Sequence, residues 1–291
     1  MKIVFFGLPL AAYLLDRDGH DVRLAALSRT DTPGRRRLVR RIGADRVLER
    51  PKTDAALLTR VREIQPDLLV SWFWTTRIPA AFVEAARLGG VGVHPSLLPR
   101  HRGPDPTSWA IASGDTVTGV TAHRIADEYD TGAILAQRQL TIDPSWNAWQ
   151  LAKALDRPSL AVLRDVCGRF ARGAPPVEIE QDEALATAAP FLDEDEEHGT
   201  LRWAAPTDRI LRLIRALAPS PGATTTIAET PVSIVRARAC AIPAVLELSG
   251  EAALLAGRLV VRTGDGAVEL LEVEHEGEAL SGAALAELLG L

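Results

Sequence analysis

The chain is 291 residues long, 47% hydrophobic and 24% charged, with a formal net charge of −5. That is enough apolar material to bury a core in each of two domains, and the negative balance excludes a protein wrapped in nucleic acid over its whole surface, though not a local basic patch. Cys167 and Cys240 lie far apart, with no CxxC spacing and no histidine at ligand spacing, so neither a disulfide scaffold nor a metal site is expected.

The opening MKIVFFGLPLAAYLLDRDGH has the apolar run of a signal peptide, but Gly7 and Pro9 cut it, Asp16-Arg17-Asp18 follows it, and no small-x-small cleavage site ends it. It reads instead as a buried parallel strand at 3–6 that turns at Gly7 into a helix at 10–15. A strand follows at 22–27, a helix at 55–64, a strand at 67–73 after the Pro66 break, a helix at 82–86, a strand at 91–93 and a helix at 107–112. Strands at 119–125 and 134–142 and a helix from about 146 to 170 continue the alternation. The expected fold class is therefore α/β, with a Rossmann-like, doubly wound, mostly parallel sheet over residues 1–172.

Residues 173–199 are rich in proline and acid, show little periodicity and read as a linker. From 200 to 291 the pattern changes to a short amphipathic helix at 208–217, a sharp turn at Pro219-Ser220-Pro221-Gly222, and alternating runs at 232–236, 257–262 and 267–273. With Gly264-Asp265-Gly266 as a hairpin signal, this predicts a smaller C-terminal β-barrel of OB-like type. No run of 18 apolar residues occurs, so no membrane partner is expected and a cytoplasmic location is. Gly7 stands alone where a dinucleotide fold needs GxGxxG.

One stretch carries the chemistry. Residues 90–111 read GVGVHPSLLPRHRGPDPTSWAI, which puts His94 just past the carboxyl end of a strand, where open α/β sheets bind ligands. Pro95 and Pro99 stiffen the loop, so Ser96, Leu97 and Leu98 can offer backbone groups at little entropic cost. A histidine working as a base gains from a carboxylate, which fixes its tautomer and raises its basicity. Asp130, in the polar loop Asp127-Glu128-Tyr129-Asp130-Thr131-Gly132 between two predicted strands, is the candidate, although Asp-Thr-Gly equally describes a plain turn.

HPSLLPRHRGPDP followed by GVTAHRIADEYDTGAIL closely resembles the 10-formyltetrahydrofolate-dependent formyltransferases, which include methionyl-tRNA formyltransferase, glycinamide ribonucleotide formyltransferase and the sugar amine N-formyltransferases. MKIVFFG, SWFWTTRIP, IRALAPSPGA and RTGDG extend the resemblance over nearly the whole chain. It implies transfer of a formyl group from N10 of 10-formyltetrahydrofolate to a primary amine. In the family an asparagine two residues before the histidine hydrogen-bonds the formyl oxygen, the histidine assists attack by the amine, and the aspartate orients the histidine and helps move protons. Those roles map onto His94 and Asp130. The resemblance further implies that Ser96, Leu97, Leu98 and Pro99, with the segment from Ser71 to Ile78 and with Asp127, hold the folate, largely through backbone groups. Trp72, Phe73 and Trp74 read equally as a pterin wall or as buried core.

At one position the sequence departs from the family. Gly92 stands in the place of the asparagine and has no side chain to offer the formyl oxygen. Losing one preorganised oxyanion donor typically slows a reaction about 100- to 1,000-fold, or roughly 3–4 kcal/mol. Three readings stay open: a formyltransferase with an altered oxyanion site, a hydrolase that releases formate from the folate, and a folate-binding homologue without catalysis. Retention of both His94 and Asp130 favours chemistry.

For the acceptor, Arg35-Arg36-Arg37 and Arg40-Arg41 resemble the loop with which the methionyl-tRNA enzyme grips the acceptor stem, and they also suit a solvated helix face. From Thr200 to Leu291 there are eight arginines, no lysine and eleven acids, a net negative domain where a tRNA-binding one should be basic. GPDPTSW after Arg102-Gly103, and SWFWTTRI, look more like the small-molecule branches. The expected acceptor is a small-molecule amine, an amino sugar nucleotide or a peptidic metabolite, with Arg35, Arg36, Arg37, Arg102 and Gly103 on the substrate side and tRNA as the alternative.

Overall fold

In the computed structural model, which describes residues 1–291, the apolar run after Met1 becomes β1 (Lys2–Gly7), buried from Ile3 onward. A strand buried on both faces needs helices over it, and the chain supplies them by alternation. There follow α1 (Pro9–Arg17), β2 (Asp21–Leu27), α2 (Arg35–Ile42), β3 (Val47–Glu49), α3 (Ala55–Ile64), β4 (Leu68–Trp72), α4 (Ala80–Glu84), β5 (Gly90–His94), α5 (Pro106–Ala112), β6 (Val117–Arg124), β7 (Ile134–Thr141) and α6 (Ala148–Ala171). The start of α3 is fixed by Asp54, whose carboxylate accepts from the Leu57 N–H.

The seven strands stand in the order β3-β2-β1-β4-β5-β6-β7. Strands β3, β2, β1, β4 and β5 run parallel, and β6 lies antiparallel to β5. Because β2 lies on one side of β1 and β4 on the other, the strand order reverses there, and in open α/β sheets ligands bind at the carboxyl ends of the strands beside such a reversal. Gly7 ends β1 with φ 136°, and a β-carbon there would collide with the Trp72 carbonyl. Only glycine lets the two backbones approach, and the Leu8 N–H then donates to that carbonyl at 3.1 Å. On one face of the sheet, Val4, Phe6, Leu24 and Leu69 pack with Leu57 and Val61 of α3 and with Ile78 and Phe82.

The chain packs as two compact units: Met1–Pro104 with Thr118–Thr141 and Ala154–Ala188, and Asp105–Val117 with Ile142–Lys153 and Ala189–Leu291. This grouping differs from a division along the sequence at 172 and 199. Helix α5 belongs to the second unit, where it lies against α7 (Thr207–Leu217), and the stretch 173–199 is shared out at Ala188. Within that stretch Ala189 and Leu192 are fully buried, although its prolines and acids erase the periodicity that marks core residues.

In the second unit, β8 (Ala223–Ile227), β9 (Thr230–Cys240), β10 (Ala252–Leu255), β11 (Arg258–Arg262), β12 (Ala267–His275) and β13 (Glu278–Ser281) form one antiparallel sheet, followed by α8 (Gly282–Leu289). The predicted Gly264-Asp265-Gly266 hairpin joins β11 to β12. Arg238 and Glu269 stand opposite each other on β9 and β12 and pair at 2.8 Å. No helix is long and apolar enough to cross a membrane.

Candidate active site

Register assembles the site. On β5, Gly92 is paired with Ser71 of β4 on one side and His123 of β6 on the other, while His94 opposes Thr121. Alternation along β5 puts residues 92 and 94 on the same face, so His94 and the ring of His123 share one side of the sheet. Thr121 is fully buried and organises the loop after His94. Its hydroxyl donates to the Ser96 carbonyl at 2.7 Å and accepts from the Leu98 N–H at 3.0 Å and from Gln137 Nε2 at 2.9 Å.

Asp130 reaches the site from the loop between β6 and β7, in the left-handed region at φ 59°. His101 at φ 60° and Phe73 at φ 55° share that conformation. Positions held this way in non-glycine residues cost of order 1–3 kcal/mol each and gather where function requires them.

The polar centre consists of two imidazoles around one carboxylate. Asp130 Oδ2 lies 3.3 Å from His94 Nδ1 and accepts the Gly103 N–H at 2.9 Å, while Oδ1 faces His123 Nε2 at 3.6 Å. His94 Nε2 stands 2.7 Å from the His101 carbonyl, and His123 Nδ1 stands 2.8 Å from the Arg124 carbonyl. A carbonyl only accepts, so each of those nitrogens carries the proton. Both rings are buried, with 6% exposure apiece. Burial pushes the His123 pKa below its ordinary value; Asp130 opposes the fall, and the neighbouring His94 adds to it.

Gly92 does not leave an empty space. A β-carbon built on it would stand 3.1 Å from His123 Nε2 and 3.3 Å from Cε1.

The other predicted site residues divide. Trp72 is core: it is 3% exposed, and its Nε1 donates to Ser159 Oγ at 3.0 Å. Ile78 is core too, and Trp74 meets the Phe6 ring edge-on at 5.2 Å, yet the Trp74 Nε1 is buried without a partner. Phe73 is half-buried against Trp72, and Ser71 is half-buried beside Gly92.

The backbone of the Ser96–Pro99 loop is less available than its stiffness suggests. The carbonyls of Ser96, Leu97, Leu98 and Pro99 accept from Thr121, the Arg100 N–H, Gln137 and the Thr187 N–H respectively. Asp127 is exposed, 3.9 Å from Arg77. Arg102 is committed internally to Gln181 and Glu183, and the Gly103 N–H serves Asp130, so neither presents a free group to a substrate. Arg35 pairs with Glu49, whereas Arg36 and Arg37 are exposed on α2. Sequence reasoning did not single out His101, Thr121 or His123. All three lie inside strings that carry the family resemblance, His101 in HPSLLPRHRGPDP and Thr121 and His123 in GVTAHRI.

A family model described as Formyl transferase matches residues 29–166, and one described as Formyl transferase, C-terminal domain, matches 195–287. A methionyl-tRNA formyltransferase of Solibacter usitatus is 33% identical, over 95% of this chain and 92% of its own length. One from Anaeromyxobacter dehalogenans is 34% identical over 95% and 93%. Among solved structures, HypX from Aquifex aeolicus in complex with tetrahydrofolic acid shares the fold at TM-score 0.69 and 20% identity; it covers 99% of this chain, which spans only 47% of HypX. WlaRD, a sugar 3N-formyl transferase solved in the presence of dTDP and 5-N-formyl-THF, gives a TM-score of 0.65 at 15% identity, over 93% of this chain and 97% of its own. With both of its parts matched and full-length relatives at one-third identity, the chain belongs to the formyl transferase family.

Proposed function

We propose that this protein transfers a formyl group from 10-formyltetrahydrofolate to a primary amine on a small molecule, an amino sugar nucleotide or a peptidic metabolite. The observation that carries the reading is the meeting of His94 and Asp130, distant in sequence, at the carboxyl end of the parallel strands. Asp130, anchored by the Gly103 N–H, and the His101 carbonyl hold His94 from both sides. A folate suits the residues present in the Ser71–Ile78 segment: Trp74 has a buried N–H with no partner in the protein, and the ring of Phe73, next to it in sequence, is half-buried. The folates in the HypX and WlaRD structures support the same donor. When bound, that donor supplies the activated formyl carbon.

The acidic balance of residues 200–291 favours a small acceptor over tRNA, and Arg36 and Arg37 on α2 suit phosphates such as those of a nucleotide-linked sugar. The second reading, methionyl-tRNA as acceptor, draws on the relatives of that name. The test is incubation with 10-formyltetrahydrofolate and either a panel of nucleotide-linked amino sugars and amino-terminal peptides or charged methionyl-tRNA, with product mass as readout. A formylated small amine is expected. Formyl-methionyl-tRNA alone, or tight tRNA binding with steep salt dependence, would reassign the acceptor, and free formate without acceptor would make the protein a hydrolase.

A further inference from the structure

We propose that the amino end of the parallel sheet carries a second ligand site, a cavity that holds the phosphate of a small phosphorylated molecule. The site stands apart from formyl transfer. β2 runs parallel to β1, β4 and β5, so His20, just before β2, and His94, at the end of β5, lie at opposite ends of the sheet. Between the turn that follows α1 and the last turns of α6 is a cavity of about 380 Å³, lined by Asp18, His20, Arg164, Gly168, Ala171 and Arg172. All six belong to the first unit.

His20 is built into this cavity. It is only 7% exposed, yet neither ring nitrogen has a hydrogen-bond partner in the protein, and neither is sealed from the space that the ring lines. Burial holds its pKa below the ordinary value, so near neutral pH the ring is uncharged and offers one N–H and one acceptor nitrogen. A phosphate accepts on every oxygen and, as a monoanion, also donates. It therefore satisfies either nitrogen.

The charges around the ring favour an anion. Asp18 is neutralised by Arg164, whose Nε and Nη2 donate to its two carboxylate oxygens at 2.5 and 2.7 Å, leaving Nη1 without a protein partner. Arg172 makes no ion pair and no side-chain hydrogen bond, so its charge is the uncompensated one. Gly168 shapes its path. A β-carbon there would stand 3.2 Å from Arg172 Nη1, so the missing side chain lets that guanidinium fold back along α6, toward Arg164 one turn further on. Guanidinium groups match phosphate oxygens two at a time. The volume selects a molecule over a bare ion, since about 380 Å³ falls within the range of about 300–1,000 Å³ typical of small-molecule sites.

The test titrates the whole chain with inorganic phosphate, ribose 5-phosphate or acetate at constant ionic strength, while NMR follows the rings of its six histidines. The His20 signal should shift and saturate with both phosphates, at lower concentration for the ester, and His94, His101 and His123 should stay in place. Arg172→Ala, a change at an exposed side chain, should weaken binding of the ester at least about tenfold, the low end of what one charge-assisted hydrogen bond is worth. Gly168→Ala should weaken it too, because the added carbon displaces that guanidinium, while alanine in a helix leaves the fold as stable or more so. Equal affinity for ester and free ion would overturn the phosphorylated molecule in favour of inorganic phosphate. No saturable shift at His20, shifts at His94 or His123 instead, an equal response to acetate, or full affinity in Arg172→Ala overturns the site itself.

Discussion

Replacing Gly92 by alanine or asparagine measures how closely the His123 ring covers that position. Either side chain adds a β-carbon 3.1 Å from Nε2, 3.3 Å from Cε1 and 3.6 Å from Ile125 Cγ1, the first two inside ordinary van der Waals contact. The ring has little room to retreat, because Nδ1 is bonded to the Arg124 carbonyl at 2.8 Å. Overpacking of this kind costs about 1–3 kcal/mol. Gly92 is not among the residues with positive φ, so a larger residue incurs no backbone strain there and regains about 0.4–1 kcal/mol by restricting the unfolded chain. The expected net loss of roughly 1–2 kcal/mol lowers Tm by about 2–4 °C per kcal/mol in domains of this size. Thermal unfolding of wild type, Gly92→Ala and Gly92→Asn is the assay. Alanine should show most of the asparagine effect, since the first added carbon makes the close contact. An unchanged or raised Tm for Gly92→Ala would refute the packing of His123 over Gly92.

Asp130→Asn keeps an acceptor for the Gly103 N–H but removes the charge between the two imidazoles. Single-turnover formyl transfer should fall by about 100-fold or more, and a rate within threefold of wild type would refute the role of the carboxylate. Burial lowers the pKa of both His20 and His123, so below their ordinary value of 6.5 the unfolded chain binds more protons than the folded one. Their contribution to stability is complete above pH 6.5 and is lost as pH falls through the folded values; the urea midpoint should drop between pH 7.5 and 5.5, and a flat midpoint would contradict this. The Cys167 thiol is buried and its pKa is pushed up to about 12, whereas Cys240 is half-buried. A thiol reagent on native protein should label Cys240 and spare Cys167, and rapid labelling of both would show that α6 opens.

The central strands were legible because a strand buried on both faces leaves a short continuous apolar run: VFF in β1, LLV in β4 and GVGV in β5 all stand out. Helix α2 did not, because only Leu38 and Ile42 of RRRLVRRI are buried, too few to mark a helical face. His94 and Asp130 could be picked from their loops and from the family resemblance. His123 could not, because its place beside Gly92 and Asp130 depends on which residue it opposes, and the antiparallel register of β5 and β6 has no local signature in either strand. Arg102 read as a handle for substrate because the GPDPTSW segment after Arg102-Gly103 looks like the small-molecule branches. Its actual partners, Gln181 and Glu183, come from a stretch whose composition reads as a tether.

The interleaving of the two units bears on how this protein can be cut or recombined. The chain passes from one to the other after Pro104, Val117, Thr141, Lys153 and Ala188, so no single break in the gene separates them. A truncation at residue 188 would keep α5 but discard α7, the helix it packs against. Exchange of the second unit between relatives would therefore have to carry α5 along with the C-terminal sheet, although the loop that follows His94 ends only a few residues before that helix begins.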